Sequence, residues 1–535
     1  MTPIVALCAL SLAPAYIGPA NVVLPARTAA ARAPILLRMA AEEHAQRLST
    51  INTQKIRSST YRRGSNRVPN GAAASVRPDL SQLRNVLYCS PEEATITVEP
   101  GVSMEELVAA TLPYGLVPKV VPEFRSITVG GAIMGGAMES SSFAHGMFHD
   151  TVSSCELLLP NGTIVEASRT GPNAELLAGI GGSYGTLASL TAATIECVRL
   201  PARPLAALTL EWYSDVAEGV AALSVMARSR SSIDFLDAAA LPPPSDGDSG
   251  GVLVCSASLV DGEEAAAMEE WSVSAAGDAF YYEKLLDVRR RLGSEGAATI
   301  RASMAIEDYL FRFDRGAFQI GYAPLWLARW HDWITPTKLA LAAASARQPF
   351  NLRTLCDTLF EADTMYKRLH LAPPEAIASS LVLQDLFVPA ARAAAAIAFC
   401  QERLTEPPCA IWLWPVRGSD TPALLAPNGH IGSTELLINL GIYTRAPTAG
   451  GGVAFTRALE RWGLENGCRK LLYSGSYYEK DELWATYDRA RYDELREQTG
   501  ASGPRIEERV VSALRTEREM SPLDAASVAL VEWLL

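Results

Sequence analysis

The stretch PEFRSITVGGAIMGGAMESSSFAHG, Pro122 to Gly146, decides how the rest of this 535-residue protein reads. It holds five glycines, Gly130, Gly131, Gly135, Gly136 and Gly146, and a serine triplet, Ser140 to Ser142. Its acids and strong bases are Glu123, Arg125 and Glu139. Glycine lacks a Cβ, so backbone can approach a ligand closely and positive φ is accessible. Successive backbone N–H groups in such a loop form a concave nest for anions. Serine hydroxyls add neutral donors. The composition suits a diphosphate held without lysine. A glycine-rich turn between buried strands is the competing reading, and glycine content alone leaves both open.

A second stretch, GIGGSYGTL from Gly179 to Leu187, leads into an apolar, β-rich run, Leu190 to Val198. Between the two lies CELLLPNGTIVEA, Cys155 to Ala167. It reads as a strand, an Asn161-Gly162 turn and a second strand. Two glycine-rich loops thus flank a hairpin. The G-x-G-x-x-G dinucleotide fingerprint sits between a strand and a helix, with an acid about twenty residues on. Neither loop fits it, so a nucleotide site here is of another type.

TVGGAIMGGAMESSS, Thr128 to Ser142, resembles the flavin-diphosphate loop of the FAD-dependent Δ24-sterol reductases, part of the vanillyl-alcohol-oxidase or PCMH-type superfamily. The hairpin, GSYGTLASLTAATIECVRLPA from Gly182 to Ala202, DLSQLRNVL from Asp79 to Leu87, and Ala94 to Leu116 continue the likeness. The resemblance implies an α+β fold. A two-lobed PCMH-type FAD-binding domain would cover 42–202 and an α+β cap with the substrate pocket 203–468. Segment 469–500 would return to the FAD domain, and 501–535 would add a helical extension. Cofactor contacts carry over to Thr128, Val129, Gly130, Gly131, Ala132 and Ile133. They continue through Met134, Gly135, Gly136, Ala137 and Met138, then Glu139, Ser140, Ser141 and Ser142, with Gly146, Gly185 and Thr186. Some superfamily members bind FAD covalently through a histidine near the loop YRRGSNRVPNGAAAS, Tyr61 to Ser75. No histidine lies between His44 and His145, so non-covalent FAD is expected, with Arg62, Arg63 and Arg67 as candidate diphosphate contacts.

The formal net charge of −12 argues against nucleic acid or an anionic membrane surface as the main partner. Nine cysteines without a C-x-x-C pair read as buried thiols in a reduced compartment, and six histidines without finger spacing give no metal site. Residues 1–41 contain no acid. Ile4 to Ala13 is too short to span a bilayer and reads as the core of a signal-like leader. Arg27, Arg32 and Arg38 follow in an alanine-rich stretch. The segment is expected to be a targeting presequence, for a complex algal plastid or for the ER membrane system, and membrane association is an expectation of the second.

Along the sequence, Glu42 to Ser59 reads as a helix with Ala45, Leu48, Ile51 and Ile56 on one face. Ser103 with Glu106 marks a capping box before Met104 to Leu112. The resemblance puts a histidine directly after the serines; here Phe143 stands there and the ring moves to His145, a candidate proton relay. LPPPSDGDSGG, Leu241 to Gly251, reads as a surface loop. AIEDYLFRFDRGAFQIG, Ala305 to Gly321, matches a histidine- and arginine-rich segment of the family, with WHDWITPTKL, Trp330 to Leu339, behind it. Phe311 and Phe313 replace imidazoles there, whereas Tyr309, Arg312 and Arg315 persist. Tyr309 is the candidate proton donor, with Arg312 or Arg315 lowering its pKa. Trp412 and Trp414 fall on one face of a strand and Leu413 on the other. Tyr477 and Tyr478 are candidates to reach the flavin ring.

The expected function is FAD-dependent reduction of a carbon–carbon double bond in the tail of a sterol or related isoprenoid, with NADPH as electron donor. A flavin oxidase or dehydrogenase of an alcohol or sugar-like substrate is one alternative. A non-enzymatic flavin-binding protein is the other.

Overall fold

The computed structural model describes residues 40–51, 55–58, 75–229, 232–243, 250–275, 278–295, 299–315, 374–404, 410–420, 423–447 and 451–511. The expectations placed on the leader, on Arg62, Arg63 and Arg67, on 244–249, on Trp330 to Leu339 and on helices after 511 lie outside these residues.

The first correction comes early. The helix begun at residue 40 stops at Ile51, and Ile56 lies in strand β1 (Lys55–Ser58) instead. Leu48 and Ile51 keep helical spacing and bury together against Leu83 and Leu158. Ile56 is five residues beyond Ile51, off the three-or-four-residue rhythm of a helix face. Its backbone pairs antiparallel with β2 (Ser75–Pro78), Ile56 opposite Arg77.

The six-stranded sheet is built from β3 (Val86–Ser90), β4 (Thr95–Val98), β5 (Leu116–Pro118), β6 (Val152–Leu158), β7 (Ile164–Ser168) and β8 (Ser189–Arg199). Its order is β3-β4-β8-β6-β7, with β5 also on β8. The β6–β7 hairpin turns at Asn161-Gly162: Gly162 takes φ +90°, and the Asn161 carboxamide accepts from the Thr163 N–H at 2.9 Å. Ser103 caps the helix Met104–Thr111, and Glu106 returns the bond to the Ser103 N–H at 2.8 Å.

Beyond residue 203 a second, nine-stranded sheet takes over. Its members are β9 (Pro204–Tyr213), β10 (Phe235–Leu241), β11 (Gly251–Asp261), β12 (Glu269–Trp271), β13 (Ile300–Ala305), β14 (Leu381–Pro389), β15 (Ile411–Arg417), β16 (Leu436–Arg445) and β17 (Arg469–Lys470). They run in the order β12-β13-β9-β11-β10-β15-β16-β14-β17. Leu241 thus belongs to a strand rather than to the loop expected from it.

Period-two alternation gives this sheet two unlike faces. Leu236, Ala238, Leu413, Ile438, Leu440 and Ile442 form an aliphatic core with the helices Val216–Ser229, Ala393–Arg403 and Gly451–Glu465. The residues between them, Asp237, Trp412, Trp414, Asn439, Tyr443 and Asp385, belong to the other face. Register brings these together: Trp414 lies opposite Asn439, Trp412 opposite Gly441, and Gly441 opposite Asp385. A Cβ at Gly441 would come within 2.8 Å of both the Trp414 and Tyr443 rings, so glycine lets those rings close over β16.

The terminal segment joins both sheets. β17 pairs with β14, Arg469 opposite Phe387. The backbone then reaches Arg496, whose guanidinium donates to the Thr186 carbonyl at 2.9 Å. No helix among the described residues is long and apolar enough to cross a membrane.

Leu413→Ala should lower unfolding stability by about 2–5 kcal/mol, the range for emptying a filled aliphatic site. Val225→Ala, on a side chain 65% exposed, should stay within about 0.5 kcal/mol. Urea denaturation checks both.

Candidate active site

The glycine stretch divides into two structures. Thr128 caps a helix, Val129–Gly135, and its hydroxyl accepts from the Gly131 N–H at 3.2 Å. The Gly130 N–H donates to the Pro100 carbonyl at 2.9 Å, and a Cβ there would sit 2.8 Å from that proline's Cβ. The first half is therefore a capped turn, with the N–H groups of Gly130, Gly131 and Ala132 already bonded within the protein. Thr128, two residues ahead of the first glycine, closes what glycine content alone reads as an open nest. The second glycine loop lies on its far end. The Ile133 carbonyl accepts from Gly182 N–H at 3.3 Å, the Met134 carbonyl from Tyr184 N–H at 2.8 Å, and the Gly135 carbonyl from the Tyr184 hydroxyl at 2.9 Å. Gly136 then leaves the helix at φ +78° and Gly185 turns at φ +67°. Gly146, at φ +79°, ends the short helix Ser142–His145.

The second half folds around a carboxylate. The Ser140 N–H and hydroxyl both donate to Glu139 Oε2, and the Glu139 N–H donates to Ser142 Oγ at 3.0 Å. The Ser140 carbonyl accepts from the Leu236 N–H of β10 at 2.8 Å, which ties the serine triplet to the second sheet. The next residue of β10 is Asp237. Arg312 lies between the two acids: Nη2 donates to Glu139 Oε1 at 3.1 Å and to Asp237 Oδ2 at 2.7 Å. Nη1 donates to the Tyr309 carbonyl at 2.8 Å. The guanidinium is 0% exposed. It lies over the rings of Tyr309 at 4.1 Å, Phe313 at 4.4 Å and Tyr281 at 5.4 Å.

Electrostatics follow from this packing. Burial alone would weaken Arg312's hold on its proton, but Glu139, Tyr309 and Asp237 outweigh it and keep Arg312 charged. Burial lifts Asp237 to about 6, against the pull of Arg312. The tuning expected of Tyr309 runs the other way: burial drives its pKa well above the ordinary value and Arg312 opposes this only in part. Its hydroxyl has no hydrogen-bond partner among the described residues. Arg315 points elsewhere, donating to the Val273 carbonyl and lying 5.4 Å from the Phe280 ring centroid. A short helix, Ile306–Leu310, carries Tyr309.

Phe313 is the hinge of an aromatic wall. Its ring is 5.3 Å from Trp412, 6.1 Å from Trp414 and 5.2 Å from Tyr281. Phe311 instead lies under Arg125, whose guanidinium is 4.4 Å from the ring centroid. Asp385 accepts from Asn439 and Tyr443 at 2.8 Å and from the Tyr473 hydroxyl at 2.6 Å. Behind it, Lys470 donates to Gln384 at 2.6 Å, Glu460 at 3.0 Å and the Gly475 carbonyl at 2.8 Å. Tyr478 lies beneath that ammonium, 5.8 Å away, and Tyr477 is bonded through its N–H to Glu460. From this segment it is Tyr473 that touches the site face. His145 and His149 line a separate polar cavity of about 180 Å³ with Arg169, Arg417 and Asp420.

Asp237, Asp385, Glu123 and Lys470 do not stand out in the sequence. Acids within the apolar runs FLDAAAL and LVLQDLFVP are the available signal, because an ionisable side chain inside a buried strand needs a partner. The neighbourhood also holds polar atoms with no partner among the described residues: Ser126 Oγ, the Tyr309 hydroxyl, Arg312 Nε, Trp414 Nε1 and Ser474 Oγ. Buried polar groups are rarely left unmade, so this donor set fits a polar ligand such as a flavin. Among the described residues no group of side chains could hold a metal.

The family model described as FAD binding domain matches residues 36–168. Delta(24)-sterol reductase from Pisum sativum is 24% identical over 459 residues, 79% of this protein and 74% of that one. The Homo sapiens delta(24)-sterol reductase is 25% identical over 447 residues, 81% and 77% respectively. Decaprenylphosphoryl-beta-D-ribose oxidase of Mycolicibacterium smegmatis is 33% identical over 118 residues, 22% of this protein and 26% of that one. The protein is thus a flavoprotein with an FAD-binding domain ahead of an α+β cap. Over about four fifths of its length it is similar to the delta(24)-sterol reductases, which supports an FAD-dependent oxidoreductase of sterol-reductase-like type.

Arg312→Leu should cost about 3–5 kcal/mol by leaving two buried carboxylates without their cation. The loss should shrink as pH falls toward about 6, because without Arg312 the Asp237 carboxyl takes up its proton at a higher pH than in the wild type. Urea unfolding at several pH values reads both.

Proposed function

We propose that this protein reduces a carbon–carbon double bond in the tail of a sterol or related isoprenoid, with NADPH as the electron donor. The observation that carries this is the composition of one sheet face. Trp412, Trp414 and Phe313 stack into an apolar wall, and Arg312 with its carboxylates adjoins it through Phe313. A hydrocarbon tail loses water favourably against such a wall, whereas a sugar would leave hydroxyls unmatched there. That weighs against the sugar-like oxidase reading, for which the Mycolicibacterium relative is the main support.

When bound, FAD supplies hydride chemistry, and the protein supplies orientation, exclusion of water and a proton. The glycine helix and the second glycine loop would hold the cofactor by backbone and by neutral side chains such as Ser126 and Ser474. Arg312 fixes the glycine loop against the cap. The aromatic wall orients the hydrocarbon. Tyr309 stays neutral across the physiological range, because burial holds its hydroxyl far above its ordinary pKa.

The full-length protein with bound flavin should bleach anaerobically on addition of NADPH and recover its colour with a Δ24-sterol. Flavin that ignores NADPH but bleaches with alcohols would establish the oxidase reading instead. Trp414→Ala should raise KM for the sterol roughly tenfold, about 1.4 kcal/mol of lost apolar contact, with little change in the NADPH-driven step. Steady-state and stopped-flow kinetics separate the two.

A further inference from the structure

The polar cavity of about 180 Å³ at His149 shares no lining residue with the face that carries Arg312. Its walls come from separate elements. Lys119 follows β5, His149 and Asp150 precede β6, Arg169 follows β7, and Glu196 is on β8. Arg417 ends β15, so the second sheet supplies the remaining wall. Pockets that enclose a drug-sized molecule begin at about 300 Å³. At ~30 Å³ per water this cavity holds about six waters, or one small oxyanion with part of its water shell.

The charges are arranged for an anion. Lys119 and Arg169 both pair with the single carboxylate of Glu196, at 2.5 and 2.7 Å, which leaves that rim with a surplus cation. Their side chains are 30% and 37% exposed, so the cavity opens to solvent on this side. Arg417 reaches deeper, at 17%, while its partner Asp420 is 63% exposed and solvated. The Arg417 Nε–H has no partner among the described residues. Asp150 is the inner acid. Its charge is already spread over the Ser419 hydroxyl, the Asn428 carboxamide at 2.7 Å and the Met147 N–H at 2.8 Å.

His149 is the second, independent sign. Its side chain is 6% exposed, and neither ring nitrogen has a hydrogen-bond partner among the described residues. Nε2 lies 3.6 Å from Asp150 Oδ1, beyond hydrogen-bond reach. A Cβ at Gly181 would come within 2.7 Å of the ring, so the second glycine loop backs the imidazole closely. Buried polar groups are rarely left unmade. An imidazole N–H and a guanidinium N–H, both unspent beside a surplus cation, form the donor set of an oxyanion site.

We propose that this cavity binds one phosphate group, with Arg417 and His149 at its floor and Lys119 and Arg169 at its mouth. The volume excludes a nucleotide as a whole. The open rim admits inorganic phosphate, or a phosphate carried by a molecule that stays outside, such as the 2′-phosphate of a nicotinamide dinucleotide. The site stands apart from the alkene-reductase reading and survives its failure.

Calorimetric titration of the flavin-loaded full-length protein with inorganic phosphate, at fixed ionic strength, should show one site with Kd of about 1 mM or tighter. The net charge of −12 opposes non-specific uptake of an anion, so saturation reports a built site. Arg417→Gln and Lys119→Ala should each weaken binding about tenfold or more, the worth of one charge-assisted bond. Unchanged flavin absorbance checks that both variants are folded. His149→Gln, which keeps a neutral donor, should weaken binding less than His149→Leu. No saturation by about 10 mM phosphate, or wild-type affinity in both Arg417→Gln and Lys119→Ala, overturns the proposal. Displacement of phosphate by NADPH but not by NADH supports it with the nucleotide 2′-phosphate as the source. Saturation that neither nucleotide disturbs supports it with free phosphate as the source.

Discussion

One buried arginine links the glycine stretch to the second sheet. Arg312 has no solvent contact and is held by Glu139 on one side and Asp237 on the other. Removing three charges from water is costly, and such triads often lend no net stability over apolar residues of the same volume. What this triad gives is register. Glu139 belongs to the turn that also engages Ser140 and Ser142, Asp237 to the middle of β10, and Arg312 to the segment after β13. A shift of any one by a residue would leave an unpaired charge in the interior. The glycine stretch and the second sheet are therefore fixed relative to each other.

The second sheet makes that possible by using its two faces differently. The aliphatic face, with Leu413 and Ile438 against alanine-rich helices, supplies stability and tolerates no polar atom. The opposite face carries Asp237, Trp414, Asn439, Tyr443 and Asp385 within three neighbouring register lines of strands buried on both sides. Burial on both faces lets an acid on one face keep its altered protonation, because water cannot reach it from either direction. The cluster's chemistry is thus a consequence of the sheet's depth in the fold.

Much of this is legible in the residues. The hairpin at Asn161-Gly162, the capping box at Ser103 and Glu106, and the opposed faces of Trp412 and Leu413 follow from local rules of turn, cap and alternation. The helix end at Ile51 is hidden because Ile56 has the right hydrophobicity and the wrong spacing. The capped form of the glycine turn is hidden because Thr128 satisfies donors that glycine alone would leave open. Tyr309 and Arg312 are found through their resemblance to a family motif. Asp237 and Asp385 are not, since they lie in otherwise apolar strands and acquire meaning only when tertiary pairing brings Arg312 to the first and Tyr473 to the second. Local pattern finds the elements; charge balance in the interior is a property of the assembled fold.

Two phenylalanines, Phe311 and Phe313, bear on how this site is packed. Phe313 is the centre of the aromatic wall and touches both tryptophans, and Phe311 is the plate on which Arg125 lies. Both are packing positions, where a ring nitrogen would enter an apolar contact. A reductase of this kind still needs a proton at its second carbon. The Tyr309 phenol is made weaker by burial, and the carboxyls beside Arg312 are Glu139 and Asp237. The same burial that makes tyrosine a worse acid makes a carboxyl a better-matched one, since it raises both pKa values and only the carboxyl starts below neutrality.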